Sequence, residues 1–456
     1  MRHHDLVIVG AGSGNAVIDD SFADLDVAIV AAGPFGGTCL NAGCIPSKML
    51  GYTAQVAEEV REAGRYGVDA SGGAMRWPQV RERVFGRLDR HRDEGRRGRE
   101  ESDFVTVYPG TARFTGPRRL RVELPDGPAD LEADQVVIAA GARPIVPAPV
   151  AESGLRYETS ETIMRIGRPP GHLAVLGGGY VAAELAQVFA SAGSRITIVG
   201  RADTLLDALD ESLAAGYTRL AAERFELRLG RELTGLGGVE GALELRLDDG
   251  SAVEADTLLV AVGRKPNGDL LDLPRGGIDV HEDGRVVVDA HQRTSAEGVW
   301  ALGDVCSPVQ LKHVANREAQ VVAHNLRHPH DLRRAEHDVV PAAVFTHPQI
   351  ATVGLTEQHC RDAGLAYAVG TARYADVAYG WALEDETGFC KVLAGREDGR
   401  LLGAHILGPQ ASTLIQPLVL AMALGIDAHT LATAPYWIHP ALTEVVENAL
   451  LALEKR

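Results

Sequence analysis

The chain has 456 residues, of which 45% are hydrophobic and 23% charged, and its formal net charge is -17. This length exceeds one ordinary hydrophobic core, so we expect two to four domains, and the composition excludes a disordered protein. The negative charge argues against nucleic acid or an anionic membrane as a partner. The odd number of cysteines, five, argues against a secreted disulfide framework. No secretory or membrane-spanning apolar run is visible, so we expect a cytoplasmic protein.

The first predicted element is a strand, a glycine turn, a helix and a second strand. An apolar run at residues 6–9 enters a turn that contains Gly10, Gly12 and Gly14, and another apolar run follows at residues 27–30. We expect a helix between the turn and the second strand. This is the pattern of a dinucleotide-binding unit, in which backbone N–H groups and a helix N-terminus hold the pyrophosphate.

Two cysteines, Cys39 and Cys44, follow in a glycine-rich segment. Apolar residues recur at helical spacing after Cys44, so this residue is predicted to start a helix, whose dipole favours a thiolate. Lys48 lies one helical turn further on and is a plausible neighbouring cation. A zinc site would need two more ligands, and the other three cysteines are isolated, so no metal site is expected. The pattern favours a redox-active pair.

A second strand–turn–helix–strand pattern contains Gly177 and Gly179, between apolar runs at residues 173–176 and 195–199. One glycine turn is weak evidence, but two in the expected context are hard to explain as simple connections. Two dinucleotides suggest a flavin that is held permanently and a nicotinamide that comes and goes. From residue 339 onward, short strands and two apolar helices indicate a separate terminal domain.

The cysteine segment resembles the active-site signature of the class I pyridine nucleotide-disulfide oxidoreductases. The resemblance covers essentially the whole chain, including both glycine turns, the Gly303-Asp304 element and the run from His439 to Glu444. It implies an α/β fold with two Rossmann-like dinucleotide-binding domains and a C-terminal α+β dimerisation domain. The implied boundaries are 1–145 and 269–335 for the two parts of an FAD-binding domain, 146–268 for an NAD(P)-binding domain and 336–456 for the dimerisation domain.

The resemblance also implies roles for individual residues. Cys44 would be the thiolate that faces the flavin, and Cys39 would attack a small-molecule disulfide. Lys48 would pair with Glu184 near the reactive edge of the flavin. His439 and Glu444 would form the acid–base pair that reaches the disulfide from the other subunit of a homodimer. The implied cofactor-binding residues are Gly10, Gly12, Gly14, Gly37, Thr38, Lys48, Gly141, Gly177, Gly179, Tyr180, Arg201, Gly263, Arg264 and Asp304.

Four positions bear on the cofactors. Asn15 stands where the family usually has a third glycine, and Ala31 replaces the acidic residue that bonds the adenosine ribose of FAD. We expect FAD to bind nonetheless. Arg201 follows the second return strand and suits the 2′-phosphate of NADPH. Asp207 stands where a second arginine often follows, so NADH stays possible.

Several segments, including residues 12–15, 376–382 and 436–442, resemble the branch of the family that acts on mycothione. The expected reaction is the reduction of this disulfide to two molecules of mycothiol. One alternative is a dihydrolipoamide dehydrogenase, which would oxidise a dithiol with NAD. Another alternative is a flavin-bearing scaffold without turnover, although that protein would have no need for the complete set of reactive residues.

Overall fold

The computed structural model describes residues 1–453, and its first sheet has seven strands. Five of its strands pair in parallel, with Arg2–Val9 between Val27–Val30 and Ala129–Ile138. Their apolar side chains are almost wholly buried, as expected for a parallel sheet that is covered on both faces. The strands of this sheet are Arg2–Val9, Val27–Val30, Val105–Tyr108, Thr111–Gly116, Arg119–Glu123, Ala129–Ile138 and Val299–Ala301.

The second sheet has five parallel strands, with His172–Leu176 between Arg195–Val199 and Thr257–Val260. Its edges are Glu226–Arg228 and Glu158–Thr159. An antiparallel group packs beside it, made of Leu233–Val239, Ala242–Leu247 and Ala252–Ala255. A two-stranded connection pairs Ala142–Pro144 with Arg264–Pro266, directly after Gly141 and Gly263.

The third sheet is antiparallel and belongs to the C-terminal part of the chain. Its strands, in spatial order, are Ala342–Val344, Ile350–Gly354, Leu401–Leu407, Phe389–Gly395 and Tyr367–Arg373. Helices Gln416–Leu424 and Thr443–Leu451 bury apolar side chains in the same core. The predicted fold class is confirmed, while the exact domain boundaries stay predictions.

The helices connect and cover these sheets. Within residues 1–453, none is long and apolar enough to cross a membrane. The α-helices are Gly37–Asn41, Cys44–Glu62, Trp77–Glu100, Ala148–Ala151, Tyr180–Ser191, Glu211–Ala222, Lys312–Arg327, Glu357–Asp362, Ala378–Ala382, Ala411–Leu414, Gln416–Leu424, Ala428–Thr433 and Thr443–Leu451. The 3-10 helices are Ser13–Ala16, Asp20–Phe22, Ala63–Tyr66, Ile163–Arg165, Asn267–Leu270, Leu273–Gly276, Gly303–Val305 and Tyr374–Asp376.

The helix predicted after the first glycine turn is absent, and that prediction was wrong. Two short 3-10 helices, Ser13–Ala16 and Asp20–Phe22, occupy the connection instead. The carboxylate of Asp19 accepts hydrogen bonds from the backbone N–H and the hydroxyl of Ser21. Such local bonds compete with helical hydrogen bonding, which is why Asp and Ser favour turns and caps. The expectation for the second turn is met by the α-helix Tyr180–Ser191.

A buried ion pair joins the second sheet's domain to the C-terminal sheet. Asp210 caps helix Glu211–Ala222, and its carboxylate lies 2.8 Å from Nζ of Lys391. Both side chains are less than a tenth exposed. Burial opposes the charge on Asp210, but hydrogen bonds from the Glu357 N–H and from Lys391 hold its pKa well below the usual range. This charged contact fixes how the two parts of the chain pack.

Candidate active site

Cys39 and Cys44 lie on two consecutive helices. Cys39 is in the middle of Gly37–Asn41, and Cys44 is the first residue of Cys44–Glu62, as the apolar spacing predicted. Both are free thiols, and Cys39 hydrogen-bonds to the sulfur of Cys44. That bond, helped by the nearby Lys48 cation, lowers the pKa of Cys44 to about 7. The same bond, followed by burial, raises the pKa of Cys39. The opposite shifts favour the thiolate on Cys44 over a thiolate on Cys39.

The structure brings Lys48 and Glu184 together. Nζ of Lys48 lies 2.9 Å from each carboxylate oxygen of Glu184, which is nearly buried on helix Tyr180–Ser191. The backbone N–H of Phe345 donates a third hydrogen bond to Glu184 at 3.0 Å, and the Phe345 ring lies 4.7 Å from the Lys48 ammonium. This ion pair holds a cation beside Cys44 and links the cysteine helix to the second glycine turn.

Both glycine turns press against a neighbouring strand. A Cβ atom on Gly10 would overlap the carbonyl of Ala139, and one on Gly177 would overlap the carbonyl of Ala261. The two residues have φ angles of 117° and 124°, a backbone conformation that residues with a Cβ atom rarely adopt. The turns therefore leave their outer faces free for the close approach of a phosphate group.

Gly37 joins the first turn to the cysteine segment. Its φ is 59°, and a Cβ atom there would meet the Cα of Gly12 at 2.7 Å. The approach of the two backbones therefore requires glycine at position 37, and Gly14 is buried just beyond it. The predicted cofactor residues of the first turn, Gly10, Gly12 and Gly14, thus lie close to Gly37. Gly37 directly precedes Thr38 and Cys39 in the chain.

A cleft of about 620 Å³ opens at the second glycine turn. This size is typical of a site for a small-molecule cofactor. Tyr180 lies in the cleft at the start of its helix and is 44% exposed, so its ring is available to cover a ligand or move aside. The predicted residues that line the cleft are Gly177, Gly179, Tyr180, Arg201, Gly263 and Arg264, and Asp207 lines it as well.

Arg264 connects this cleft with the cysteine segment, through its contact with Thr38. Its guanidinium donates hydrogen bonds to the carbonyl of Ala142 and, at 3.4 Å, to the hydroxyl of Thr38. Its Nε is buried and has no partner among the described residues. Asp304 is close enough to Arg264 and Lys312 to feel their charges, although burial raises its pKa overall. An unpaired donor and a buried acid beside two glycine cradles fit polar groups of a bound dinucleotide.

His439 and Glu444 form a hydrogen bond of 2.7 Å between Nδ1 and a carboxylate oxygen. The His439 hydrogen bond, together with the Ala441 N–H, holds the pKa of Glu444 below its usual range. His439 is 72% exposed, and no contact with Cys39 or Cys44 occurs among the residues described. One chain therefore presents this pair on its surface and does not assemble it with its own cysteines.

Three contacts at the site were not foreseen from the sequence. Phe345 supports Glu184 from the C-terminal part of the chain, and Arg99 holds the segment after the first glycine turn. Lys312 bonds the hydroxyl of Ser13 at 2.9 Å and also lowers the pKa of Cys39, against the larger opposing effects. Lysine is scarce in this chain, and Lys312 lies in the segment 311–316, which also resembles the mycothione branch; both signals could have drawn attention to it.

The family model "Pyridine nucleotide-disulphide oxidoreductase" matches residues 4–319, and the model of the corresponding dimerisation domain matches residues 340–450. The chain belongs to the pyridine nucleotide-disulphide oxidoreductase family. Membership implies a flavin and a pyridine nucleotide as cofactors and an oxidoreductase activity on disulfides. The dimerisation domain supports a homodimer.

Individual relatives cover nearly the whole chain. A mycothione reductase of Mycobacterium tuberculosis is 49% identical over 99% of this chain and 100% of its own length. A dihydrolipoyl dehydrogenase of Vibrio cholerae is 31% identical over 98% of this chain and 95% of its own length. Among solved structures, the HOCl-induced flavoprotein disulfide reductase RclA from Escherichia coli superposes with a TM-score of 0.87, at 26% identity and 99% coverage of both chains.

Proposed function

We propose that this enzyme is an NADPH-dependent mycothione reductase, which reduces the disulfide of mycothione to two molecules of mycothiol. The observation that carries the proposal is the pair of free thiols on consecutive helices, Cys39 and Cys44, followed one turn later by the Lys48–Glu184 ion pair. The 49% identity with a mycothione reductase supports the choice of substrate. We expect the activity in the cytoplasm, where thiols are kept reduced.

FAD is the flavin that the first glycine turn and the neighbouring cysteine segment would hold. Gly10, Gly12, Gly14 and Gly37 would make room for the pyrophosphate, while Thr38, Gly141 and Asp304 would bind the flavin half. Ala31 offers no carboxylate for the adenosine ribose, and it is buried at the end of its strand. The turn itself would therefore carry most of the binding at the adenosine end.

NADPH is the favoured reductant because Arg201 lines the cleft of the second turn. A guanidinium forms strong, charge-assisted hydrogen bonds with phosphate, and the 2′-phosphate distinguishes NADPH from NADH. Asp207 lines the same cleft, and its carboxylate repels the negative charge of the 2′-phosphate. We therefore expect a preference for NADPH rather than exclusion of NADH.

The cysteine pair would carry out the disulfide exchange. Cys39 attacks one sulfur of the substrate, which forms a mixed disulfide and releases the first thiol. The Cys44 thiolate then attacks the sulfur of Cys39, re-forming the Cys39–Cys44 disulfide and releasing the second thiol. Passing two electrons from the nicotinamide to reopen this bond is the chemistry that a bound flavin supplies.

His439 and Glu444 of a second copy would manage the proton. The pKa of Cys39 is raised, so this thiol needs a base before it attacks. A histidine can take that proton near neutral pH and return it to the leaving thiolate, while the carboxylate orients the ring and stabilises the imidazolium. The exposure of His439 leaves it free to enter the site of another subunit.

The test is to follow nicotinamide oxidation with mycothione, glutathione disulfide and lipoamide in turn, using NADPH and NADH. Turnover with mycothione and NADPH supports the proposal. Turnover confined to lipoamide and NAD(H) would assign the enzyme to the dihydrolipoamide branch instead. A Cys39→Ser variant should lose disulfide turnover but still let NADPH bleach the flavin, whereas Cys360→Ala, at a buried cysteine remote from the pair, should keep both.

A further inference from the structure

The first glycine turn lacks the helix that normally fixes such a turn, and an arginine from another part of the chain occupies the gap. The segment that contains Gly14 is a four-residue 3-10 helix, Ser13–Ala16, which has little dipole of its own. Arg99 lies at the end of helix Trp77–Glu100, and its guanidinium donates to three acceptors of this segment. They are the side-chain oxygen of Asn15 at 2.7 Å, the carbonyl of Asn15 at 2.9 Å and the carbonyl of Ile18 at 3.0 Å.

Two of these acceptors, the carbonyls of Asn15 and Ile18, are groups that a continuing helix would have satisfied. In an α-helix, each of these backbone carbonyls would accept a hydrogen bond from an N–H four residues further along the chain. Because the helix is not formed, the carbonyls of Asn15 and Ile18 need another donor, and Arg99 supplies it from a half-buried position. The fork of the guanidinium allows one side chain to serve all three acceptors.

Asn15 takes part in the same arrangement. A glycine at this position would keep the carbonyl but would remove the side-chain oxygen that binds Nε of Arg99. The neighbouring Gly14 cannot take over this role, since a Cβ atom there would meet the Cβ of Ala139 at 2.8 Å. The departure from the usual third glycine and the loss of the helix are therefore linked through Arg99.

The turn is held on two further sides. Nζ of Lys312 bonds the hydroxyl of Ser13 at 2.9 Å, and Gly37 packs against Gly12. Lys312 and Gly37 contact the beginning of the segment, at Ser13 and Gly12. Arg99 instead bonds its end, at Asn15 and Ile18. Without Arg99, the residues after Gly14 would keep the Ser13 anchor, their own short turns and the packing of Val17, Ile18 and Phe22 in the core, but they would lose the hydrogen bonds to the carbonyls of Asn15 and Ile18.

We propose that Arg99, bonded to Asn15, is a positioning residue that replaces the missing helix and holds the first glycine turn in the shape that retains FAD. The inference rests on the proposed function, in that FAD is the ligand of this turn. Arg99 acts through the turn and is not a catalytic residue. Its loss should therefore speed the release of the flavin without changing the chemistry of the cysteine pair.

The experiment measures the first-order release of FAD from the dilute holoenzyme by the rise of flavin fluorescence. We compare wild type with Arg99→Ala, Arg99→Lys, Asn15→Gly and the double variant Arg99→Ala with Asn15→Gly. Arg97→Ala is the matched control, because Arg97 is exposed on the same helix two residues away. Thermal unfolding of the apo and holo forms and NADPH binding at the second turn are recorded for each variant.

We expect R99A to release FAD about tenfold faster or more, as for the loss of charge-assisted hydrogen bonds. R99K should resemble R99A, because one ammonium cannot reproduce the fork, and N15G should have an effect of about threefold. The double variant should match R99A alone, since the two residues act through one contact. R97A should match wild type, and NADPH binding should change in none of them.

Two results would overturn the inference while leaving the proposed function intact. One is release of FAD from R99A at the rate of R97A. The other is equal destabilisation of the apo and holo forms of R99A, which would show that the affinity for FAD is unchanged and that Arg99 supports the fold alone. A wild-type protein that binds no FAD, even when FAD is added, would overturn the inference and the proposed function together.

Discussion

The two glycine turns of this protein have the same backbone geometry and different supports. Gly10 and Gly177 each have a strongly positive φ and each lie against a strand carbonyl. The second turn leads into a 12-residue helix, Tyr180–Ser191, most of which is buried. The first leads into short 3-10 helices that are held by side chains from distant parts of the chain. A dinucleotide turn can thus be stabilised by its own helix or by its neighbours.

The difference fits the two kinds of ligand. The first turn is packed against Gly37 and is bonded by Arg99 and Lys312, so residues from several distant elements hold it in place. The second turn opens into a cleft of about 620 Å³ with an exposed tyrosine at its entrance. An open cleft of this kind suits a nicotinamide that must exchange in every cycle.

The largest expected effect comes from filling the space at either turn. Gly10→Val should abolish FAD binding, because its side chain would overlap the Ala139 carbonyl at a backbone conformation that valine avoids. Gly177→Val should keep the flavin and slow its reduction by NADPH about 100-fold or more. Flavin absorbance per protein and the rate of bleaching measure the two effects. Gly98→Ala, in open space on an exposed helix, is the control.

The second turn's helix also supports the cysteine pair, and Lys48→Ala tests this link. Removing the ammonium disfavours the thiolate, so the pKa of Cys44 should rise from about 7. The pH profile of alkylation by iodoacetamide should therefore move to higher pH, with about tenfold slower reaction at neutral pH. Lys265→Ala, at an ion pair with Asp269, is the control. An unchanged profile would show that the Lys48–Glu184 ion pair does not set the pKa of Cys44.

Arg201→Ala tests whether the second turn reads the phosphate of NADPH. The loss of a charge-assisted contact should raise KM for NADPH about tenfold and leave KM for NADH nearly unchanged. Steady-state kinetics with both nucleotides measure the ratio. Arg228→Ala, on an edge strand and paired with Glu226, should alter neither value. Equal effects of R201A on both nucleotides would show that Arg201 does not contact the phosphate.

The smallest expected effect belongs to Asp207→Asn. Asp207 lines the cleft together with Arg201, so removing its charge should lower KM for NADPH by about two- to threefold, as is typical of solvent-screened charges. The gain should disappear at high salt, which distinguishes an electrostatic effect from a change of shape. A rise in KM would instead indicate that Asp207 positions Arg201.

Local sequence patterns predicted much of this structure. The run at residues 27–30 and the helix that begins at Cys44 are where apolar spacing placed them, because their burial pattern is decided within a few residues. The missing helix after Gly14 was not predictable in the same way. The bonds that take its place come from Arg99, which follows Asn15 by 84 residues and contacts it only in the folded chain.

The site shows the same division. Cys39, Cys44 and Lys48 lie on one segment, so their proximity follows from helix geometry. Glu184 was assigned through family resemblance, and the structure brings it to Lys48. Phe345 escaped notice because it contributes a backbone N–H, which no sequence pattern reveals. The partner-facing position of His439 depends on a second chain and stays a prediction.

The Asp210–Lys391 ion pair also affects how the enzyme can move. Because it fastens the part of the chain that contains the second sheet to the C-terminal sheet and is buried, large swings of that part would break a desolvated charge contact. The low pKa of Asp210 keeps the contact charged until the pH falls well below about 4, far from the range in which Cys44 ionises. Coenzyme exchange should then rely on side-chain gating at Tyr180, and turnover should be insensitive to solvent viscosity.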